Sequence, residues 1–218
     1  MRRRVGAASL MIALLGLTAC VTLPTADPGA VVTSAPDDPF EQLTSMEVRS
    51  VEDLGLPPDP VSVAVLAADR SAYCVISTKQ GGVFDNPVDP LMGGGERDDN
   101  ELEVDAAYCE LAVYPAPAEV TDDCNGTNLG FKGGTVMLTA DSFSYGSCRI
   151  GMTVMESEFA PGADTRGGPV SKLPLLQRGE AVELRGFRCG FGEDGMICGS
   201  LESATGFVAG RDSVASFG

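Results

Sequence analysis

The sequence predicts a mainly β protein, a single small antiparallel β-sandwich or partly open barrel that is stapled by disulfides. Three observations lead to this prediction. Apolar residues alternate with other residues over short segments, which is the period of a half-buried strand. The 218 residues include 27 glycines and 14 prolines, so turns are frequent. Six cysteines follow the first one, and an even number is typical of a disulfide framework in an exported chain.

The first twenty residues have the layout of a bacterial lipoprotein signal. Arginines occupy positions 2–4, an apolar run covers positions 5–17, and Leu17-Thr18-Ala19-Cys20 has the form of a lipobox. We therefore expect residues 1–19 to be a signal peptide that is removed, and Cys20 to carry lipid. That lipid would hold the chain on the extracytoplasmic face of the cell membrane. The three arginines leave twin-arginine export open beside the general secretory route.

Residues 20–59 are expected to form a flexible tether with short helical turns. Positions 21–36 are rich in proline, threonine, alanine and aspartate, a composition that favours disorder. Asp38-Pro39-Phe40-Glu41 then resembles a helix start, with Asp38 as the N-cap, and fits either a single turn or a short helix. The β domain would cover residues 60–218.

Alternating patterns predict the strands of this domain. The clearest alternation places Cys148, Ile150, Met152 and Val154 on one face of a single strand. The parity of the apolar residues changes at Gly186, which predicts a β-bulge there. Further strands are expected near residues 61–66, 73–76, 108–113, 136–138, 182–184, 187–191 and 196–200.

A glycine-, proline- and acid-rich stretch, residues 79–105, interrupts the strands and predicts a long exposed loop. Its side chains Asp98, Asp99 and Glu101 are weak candidates for a Ca²⁺ site, because Ca²⁺ prefers hard oxygen ligands. A solvated acidic loop explains the same residues. We expect no other metal site and no cofactor.

One disulfide follows from strand register. Residues 187–191 and 196–200 read as a hairpin around Gly192-Glu193-Asp194-Gly195, and pairing Phe191 with Met196 places Cys189 opposite Cys198. Directly opposed residues of an antiparallel pair lie within disulfide reach. Six cysteines allow 15 pairings. The other four are paired in sequence order, which gives Cys74–Cys109 and Cys124–Cys148.

Several short motifs resemble those of small exported actinobacterial proteins of uncharacterised function. Residues 67–76 are similar to their SPSGNIYC-I opening, residues 107–111 to their VRCEI strand, and residues 123–125 to their DC turn. Residues 173–180 resemble LPYGQS, and residues 186–198 with 205–207 resemble GxFxC…GVTCxN…TGHGF. The resemblance covers roughly residues 63–217. It implies a disulfide-stapled β domain in the cell envelope and implies no activity.

Charge and residue types exclude several functions. The formal net charge is −16, and removal of residues 1–19 leaves 12 basic against 31 acidic residues, a charge of −19. Such an excess argues against a nucleic-acid partner and against flat adhesion to anionic lipid. It fits a soluble envelope domain or, alternatively, a cationic partner. The chain has no histidine, which excludes Ser-His-Asp and Cys-His sites.

The combined expectation is a lipid-anchored binding or interaction module of the cell envelope with an unidentified ligand or protein partner. We expect no catalytic residues. Alternatives are a hydrolase that uses paired carboxylates, a Ca²⁺-binding envelope protein, and a purely structural envelope component. A hydrolase should show two carboxylates that converge in a cleft with raised pKa values. A binding module should show a concave or exposed apolar patch instead.

Overall fold

The computed structural model describes residues 38–89, 100–116, 124–163 and 167–218. The expected signal peptide (residues 1–19), Cys20, Asp98 and Asp99 lie outside these residues. Two open β-sheets face each other, which confirms a mainly β, disulfide-stapled sandwich. Helix α1 (Pro39–Ser45) packs against the outer side of one sheet, and helix α2 (Val154–Phe159) packs against the outer side of the other.

Sheet I has six strands in the order β1-β9-β10-β11-β12-β13. Its strands are antiparallel, except that β1 and β9 form a two-residue parallel pair. In chain order they are β1 (Glu47–Val48), β9 (Glu180–Leu184), β10 (Phe187–Phe191), β11 (Met196–Ser200), β12 (Gly206–Ala209) and β13 (Val214–Phe217).

Sheet II has seven strands in the order β7-β6-β5-β3-β2-β8, with β4 beside β3. It too is antiparallel apart from one two-residue pair, β2 with β8. Two 3-10 helices, Cys124–Gly126 and Val170–Lys172, lie in its connections. The strands are β2 (Val63–Ala67), β3 (Ala72–Gln80), β4 (Val83–Phe84), β5 (Val104–Leu111), β6 (Gly130–Thr139), β7 (Phe143–Arg149) and β8 (Leu175–Leu176).

Sheet II is covered on both faces over much of its area. Alternate residues such as Val65 point into the core between the sheets, where they meet side chains such as Phe207 of sheet I. The other parity, represented by Leu66 and Tyr73, packs outward against Met155 of α2 and its neighbours. All five residues of β2 are therefore buried, although the sequence pattern predicts one buried face.

All three predicted disulfides are present. Cys74 and Cys109 are directly opposed on β3 and β5, and Cys189 and Cys198 are opposed on β10 and β11, with Cα atoms 4.1 Å apart in both pairs. The Sγ atoms of Cys109 and Cys198 lie 3.6 Å apart, so these two disulfides pack against each other between the sheets. Cys124–Cys148 joins the segment before β6 to β7.

The first described residues belong to the domain, whereas the sequence assigns residues 20–59 to the tether. The predicted N-cap is confirmed, because the Asp38 carboxylate accepts the Phe40 N–H at 2.8 Å. Leu43 of α1 is fully buried, and Met46 packs beside it on Ile197 of sheet I. Strand β1 then pairs with β9. Any free tether therefore ends before α1 begins.

The predicted strand through residues 148–154 is wrong beyond Arg149. Strand β7 ends there, Gly151 adopts φ +82°, and Thr153 caps α2. Ile150 and Met152 project into solvent with exposed fractions of 76% and 64%. The alternation of apolar residues is misleading here. A turn followed by a capped helix happens to place apolar residues at every second position.

Two further expectations need correction. Gly186 is not in a bulge: it forms with Arg185 a two-residue hairpin turn that places Leu184 opposite Phe187. Both turn residues have positive φ, at 53° and 77°, as this kind of tight turn requires. The expected loop 79–105 is shorter, because β3 continues to Gln80 and β5 begins at Val104.

Replacement of Cys189 and Cys198 together by alanine should lower the free energy of unfolding by about 3 kcal/mol. The reason is that the 189–198 link restricts the unfolded chain, an effect of this size for a loop of about ten residues. Urea unfolding of the oxidised protein measures it. Both cysteines are replaced so that no lone thiol remains beside Cys109. An unchanged midpoint would contradict the expectation.

Candidate functional site

A concave site lies on the outer face of sheet II, between β5, β6, β7 and the start of α2. It is an open pocket of about 610 Å³, which we name the Glu110 pocket. Hydroxyl groups are abundant in its lining, together with two carboxylates, Glu110 and Asp89. The lining hydroxyls belong to Tyr108, Thr135, Ser144, Ser147 and Thr153.

The register of the sheet places Glu110 at the floor of this pocket. Tyr108 and Glu110 share the outward parity of β5, while Cys109 and Leu111 point into the core between the sheets. Glu110 is directly opposite Tyr73 on β3. A carboxylate therefore occupies the centre of a covered sheet face, with only 2% of its residue exposed.

Hydrogen bonds from two directions satisfy the Glu110 carboxylate. Its Oε1 accepts from the Tyr108 hydroxyl at 2.9 Å, and its Oε2 accepts from the Met155 backbone N–H at 3.0 Å. The Tyr73 hydroxyl, opposite it on β3, also favours the ionised carboxylate. Met155 lies in the first turn of α2, whose free N–H groups favour a negative charge. Glu110 thus fixes the start of α2 to the sheet.

Burial dominates the titration of this cluster. It raises the pKa of Glu110, and the hydrogen bonds from Met155 N–H and the Tyr108 hydroxyl oppose that rise without cancelling it. Burial and the nearby Glu110 charge also raise the pKa values of Tyr73 and Tyr108. Both phenols therefore remain protonated and able to donate at neutral pH.

A second carboxylate beside the pocket, Glu156, is held by a different set of partners. The Thr153 N–H donates to its Oε2 at 2.6 Å, and Thr153 Oγ1 accepts the Glu156 N–H at 3.1 Å, which forms a capping box. Arg149 forms an ion pair with it at 2.9 Å, and the Tyr114 hydroxyl donates to it. Burial opposes its ionisation, but these hydrogen bonds and the Arg149 charge outweigh burial and lower the pKa of Glu156.

Three exposed aliphatic side chains surround the mouth of the pocket. They are Leu129 (37% exposed), Ile150 and Met152, and we name them the apolar rim. Gly130, the first residue of β6, pairs with Arg149, the last residue of β7. Leu129 and Ile150 therefore both lie just beyond the same end of this strand pair. The pocket therefore combines a hydroxyl-rich, acidic floor with an apolar mouth.

Another hollow, of about 480 Å³, lies among the turns at one end of the sandwich and is lined by charges of both signs. The Arg178 guanidinium there lies 4.7 Å from the centre of the Phe191 ring and donates to the carbonyl oxygens of Gly192 and Glu193. The charged group of Arg178 is therefore already engaged in structural contacts. The Glu110 pocket is the larger of the two and has the buried hydrogen-bond cluster.

The predicted Ca²⁺ ligands do not form a site among the described residues. Asp98 and Asp99 lie outside them, and Glu101 is exposed with its backbone carbonyl accepting from the Gln80 amide at 2.9 Å. Within the described ranges, the group of metal-ligating residue types found close together consists of Cys74, Cys189 and Cys198, whose sulfurs are in disulfides.

Sequence reasoning did not identify Glu110 or Tyr108 as site residues. In the sequence, the alternation of residues 108–113 places Glu110 on the strand face that is expected to point to solvent. One signal was available: segment 106–112 is otherwise uncharged and mostly apolar, and a lone carboxylate inside such a stretch needs either solvent or dedicated donors. One of its donors is the Met155 N–H, and no local pattern links residue 155 to position 110.

Replacement of Glu110 by glutamine should change how stability depends on pH. Because the native pKa of Glu110 is raised, its contribution to stability is fully present below the unfolded pKa and is lost as pH rises through the native pKa. Wild type should therefore lose stability relative to Glu110→Gln as pH rises from about 4. Urea unfolding across pH 4–8 measures the difference. Glu202→Gln, at an exposed acid, is the control, and a difference that grows in favour of wild type with rising pH would contradict the expectation.

Comparisons with known proteins find no relative of this chain. No protein-family model, no curated protein and no solved structure matches this chain. Among the helices that the structure describes, none is long and apolar enough to cross a membrane.

Proposed function

We propose that this protein is a lipid-anchored binding module of the cell envelope, and that the Glu110 pocket takes a small amphipathic ligand. The observation that supports it most directly is the pairing of a hydroxyl-rich floor with an apolar rim in one concave site. Ligand pockets typically combine apolar walls with a few fixed polar groups. Hydroxyl groups of a ligand suit this floor, and an apolar chain suits the rim.

The electrostatics of the floor favour an uncharged or cationic polar group. Glu110 and Asp89 would repel an anionic head group, and burial strengthens that repulsion. Arg149 also lines the pocket, and its buried Nε–H has no acceptor within the described part of the chain. A ligand hydroxyl or carbonyl oxygen is a group that such a donor can bind.

The same contacts favour binding over hydrolysis. A hydrolase with paired carboxylates needs one acid and one base that are free to exchange protons with substrate. Glu156 is instead committed to the capping box, Tyr114 and Arg149. Glu110 is committed to the start of α2 and to Tyr108. Both carboxylates have structural partners that a substrate would have to displace.

The anchor at Cys20 has a direct test. Native protein isolated from the cell envelope should yield an N-terminal peptide that begins at Cys20 and carries acyl chains, which mass spectrometry detects. The Cys20→Ala variant should leave the membrane fraction, because the thiol that accepts lipid is gone. A native chain that begins at Met1, or an unmodified Cys20, would contradict the proposal.

The ligand class is tested with two probes whose alkyl tails are of similar length, octyl glucoside and octanoate, each below its micelle concentration. Saturation-transfer NMR should show tighter binding of the glucoside, because the floor offers hydroxyl partners and repels the carboxylate. Ile150→Ser should weaken glucoside binding roughly fivefold, since it removes about 1 kcal/mol of apolar contact.

Val61→Ser is the matched control for the rim variant. Val61 is equally exposed, at 77%, and lies just before β2, at the opposite end of sheet II from the rim. It should leave glucoside binding unchanged. Equal losses in the two variants, or stronger binding of octanoate than of octyl glucoside, would contradict the assignment of the pocket.

A further inference from the structure

The apolar rim is an exposed surface that the fold holds in place. The Cys124–Cys148 disulfide fixes the segment before β6 to the end of β7. The Gly151 carbonyl, at the centre of the turn, accepts from Lys132 Nζ at 2.9 Å and from Arg149 Nη1 at 2.8 Å. The disulfide and these hydrogen bonds therefore hold the turn in place, and the turn exposes Ile150 and Met152 to solvent. Grouped exposed aliphatic side chains of this kind mark interaction surfaces.

The hairpin that carries the rim does not share the net negative charge of the chain. Residues 125–155 contain one acid, Asp141, and two bases, Lys132 and Arg149, in a chain whose net charge is −16. Asp141 lies in the turn between β6 and β7, at the far end of that hairpin from the rim. The hairpin itself therefore adds no net negative charge that an anionic membrane surface would repel.

We propose that the apolar rim docks on the lipid bilayer itself, so that the mouth of the Glu110 pocket opens towards lipid. This inference rests on the proposed function, because it needs the anchor at Cys20. It deepens that function by naming the source of the amphipathic ligand: a membrane lipid could enter the pocket without crossing water.

The tether is long enough for this contact. Asp38, the first described residue, is 18 residues after Cys20, and such a stretch reaches at most about 60 Å when extended. A domain of this size has a radius of gyration of about 16 Å. Any face of the domain can therefore meet the bilayer that holds the lipid, and tethering supplies the high effective concentration that a small apolar contact needs.

A second copy of the chain fits the rim less well. Stable protein interfaces bury about 800 Å² on each partner, far more than three side chains offer. A second copy would also bring its own large negative charge close to the first. The bilayer requires neither a large complementary area nor a matching charge pattern.

The test uses the absence of tryptophan from this chain. Ile150→Trp places a single tryptophan on the rim, and Val61→Trp places one at an equally exposed site beyond the other end of sheet II. Each lipidated full-length variant is reconstituted into phosphatidylcholine vesicles with brominated acyl chains. The emission of Ile150→Trp should shift to shorter wavelength and be quenched several-fold more strongly than that of Val61→Trp.

Other outcomes separate the possible failures. Flotation with the vesicles is measured first, and a wild-type chain that does not float overturns the anchor itself. If the variants float but the tryptophans of Ile150→Trp and Val61→Trp are quenched equally, the rim has no preferred contact with the bilayer. That result overturns the docking proposal and leaves the anchor standing. A blue shift of Ile150→Trp that grows with protein concentration without vesicles shows a second copy on the rim and also overturns it. Met152→Trp repeats the measurement at a second rim position, and circular dichroism verifies the fold of each variant.

Discussion

The need to satisfy the buried carboxylate of Glu110 links the parts of this structure. An ionised carboxylate inside a covered sheet face is costly unless donors surround it. The Tyr108 hydroxyl supplies one donor from the same strand, and the backbone N–H of Met155 supplies another from α2. The first turn of α2 has N–H groups that also need acceptors. One contact therefore meets both needs, and it brings α2 down onto sheet II, where Met155 buries apolar surface.

This arrangement explains which features could be predicted from the sequence. The hairpin that pairs Cys189 with Cys198 depends only on a four-residue turn and on parity, both of which are local. The N-cap at Asp38 is local too, and both predictions are confirmed. The remaining two disulfides were assigned by chain order, and the adjacent strands β3 and β5 make that order correct for Cys74.

The features that were missed depend on contacts between distant residues or on competing local signals. Residues 148–154 alternate like a strand, but Thr153 and Glu156 also have the spacing of a capping box. The structure forms that helix, and its first turn donates to Glu110. Two residues with positive φ explain the parity change at Gly186 better than a bulge does. Burial of Glu110 depends on α2, which covers the sheet from more than forty residues away, so alternation alone assigned this side chain to solvent.

The same competition determines what the site can do. Glu110 and Glu156 both lie at the start of α2, and their environments move their pKa values in opposite directions, a pattern that in many enzymes separates an acid from a base. Here each shift has a structural cause, since Glu110 is desolvated against α2 and Glu156 is held by Thr153 and Arg149. A substrate that displaced either carboxylate would release the helix that forms one wall of the pocket. A ligand that meets the hydroxyl groups and the apolar rim leaves those contacts intact, so this architecture is better suited to holding a molecule than to breaking one.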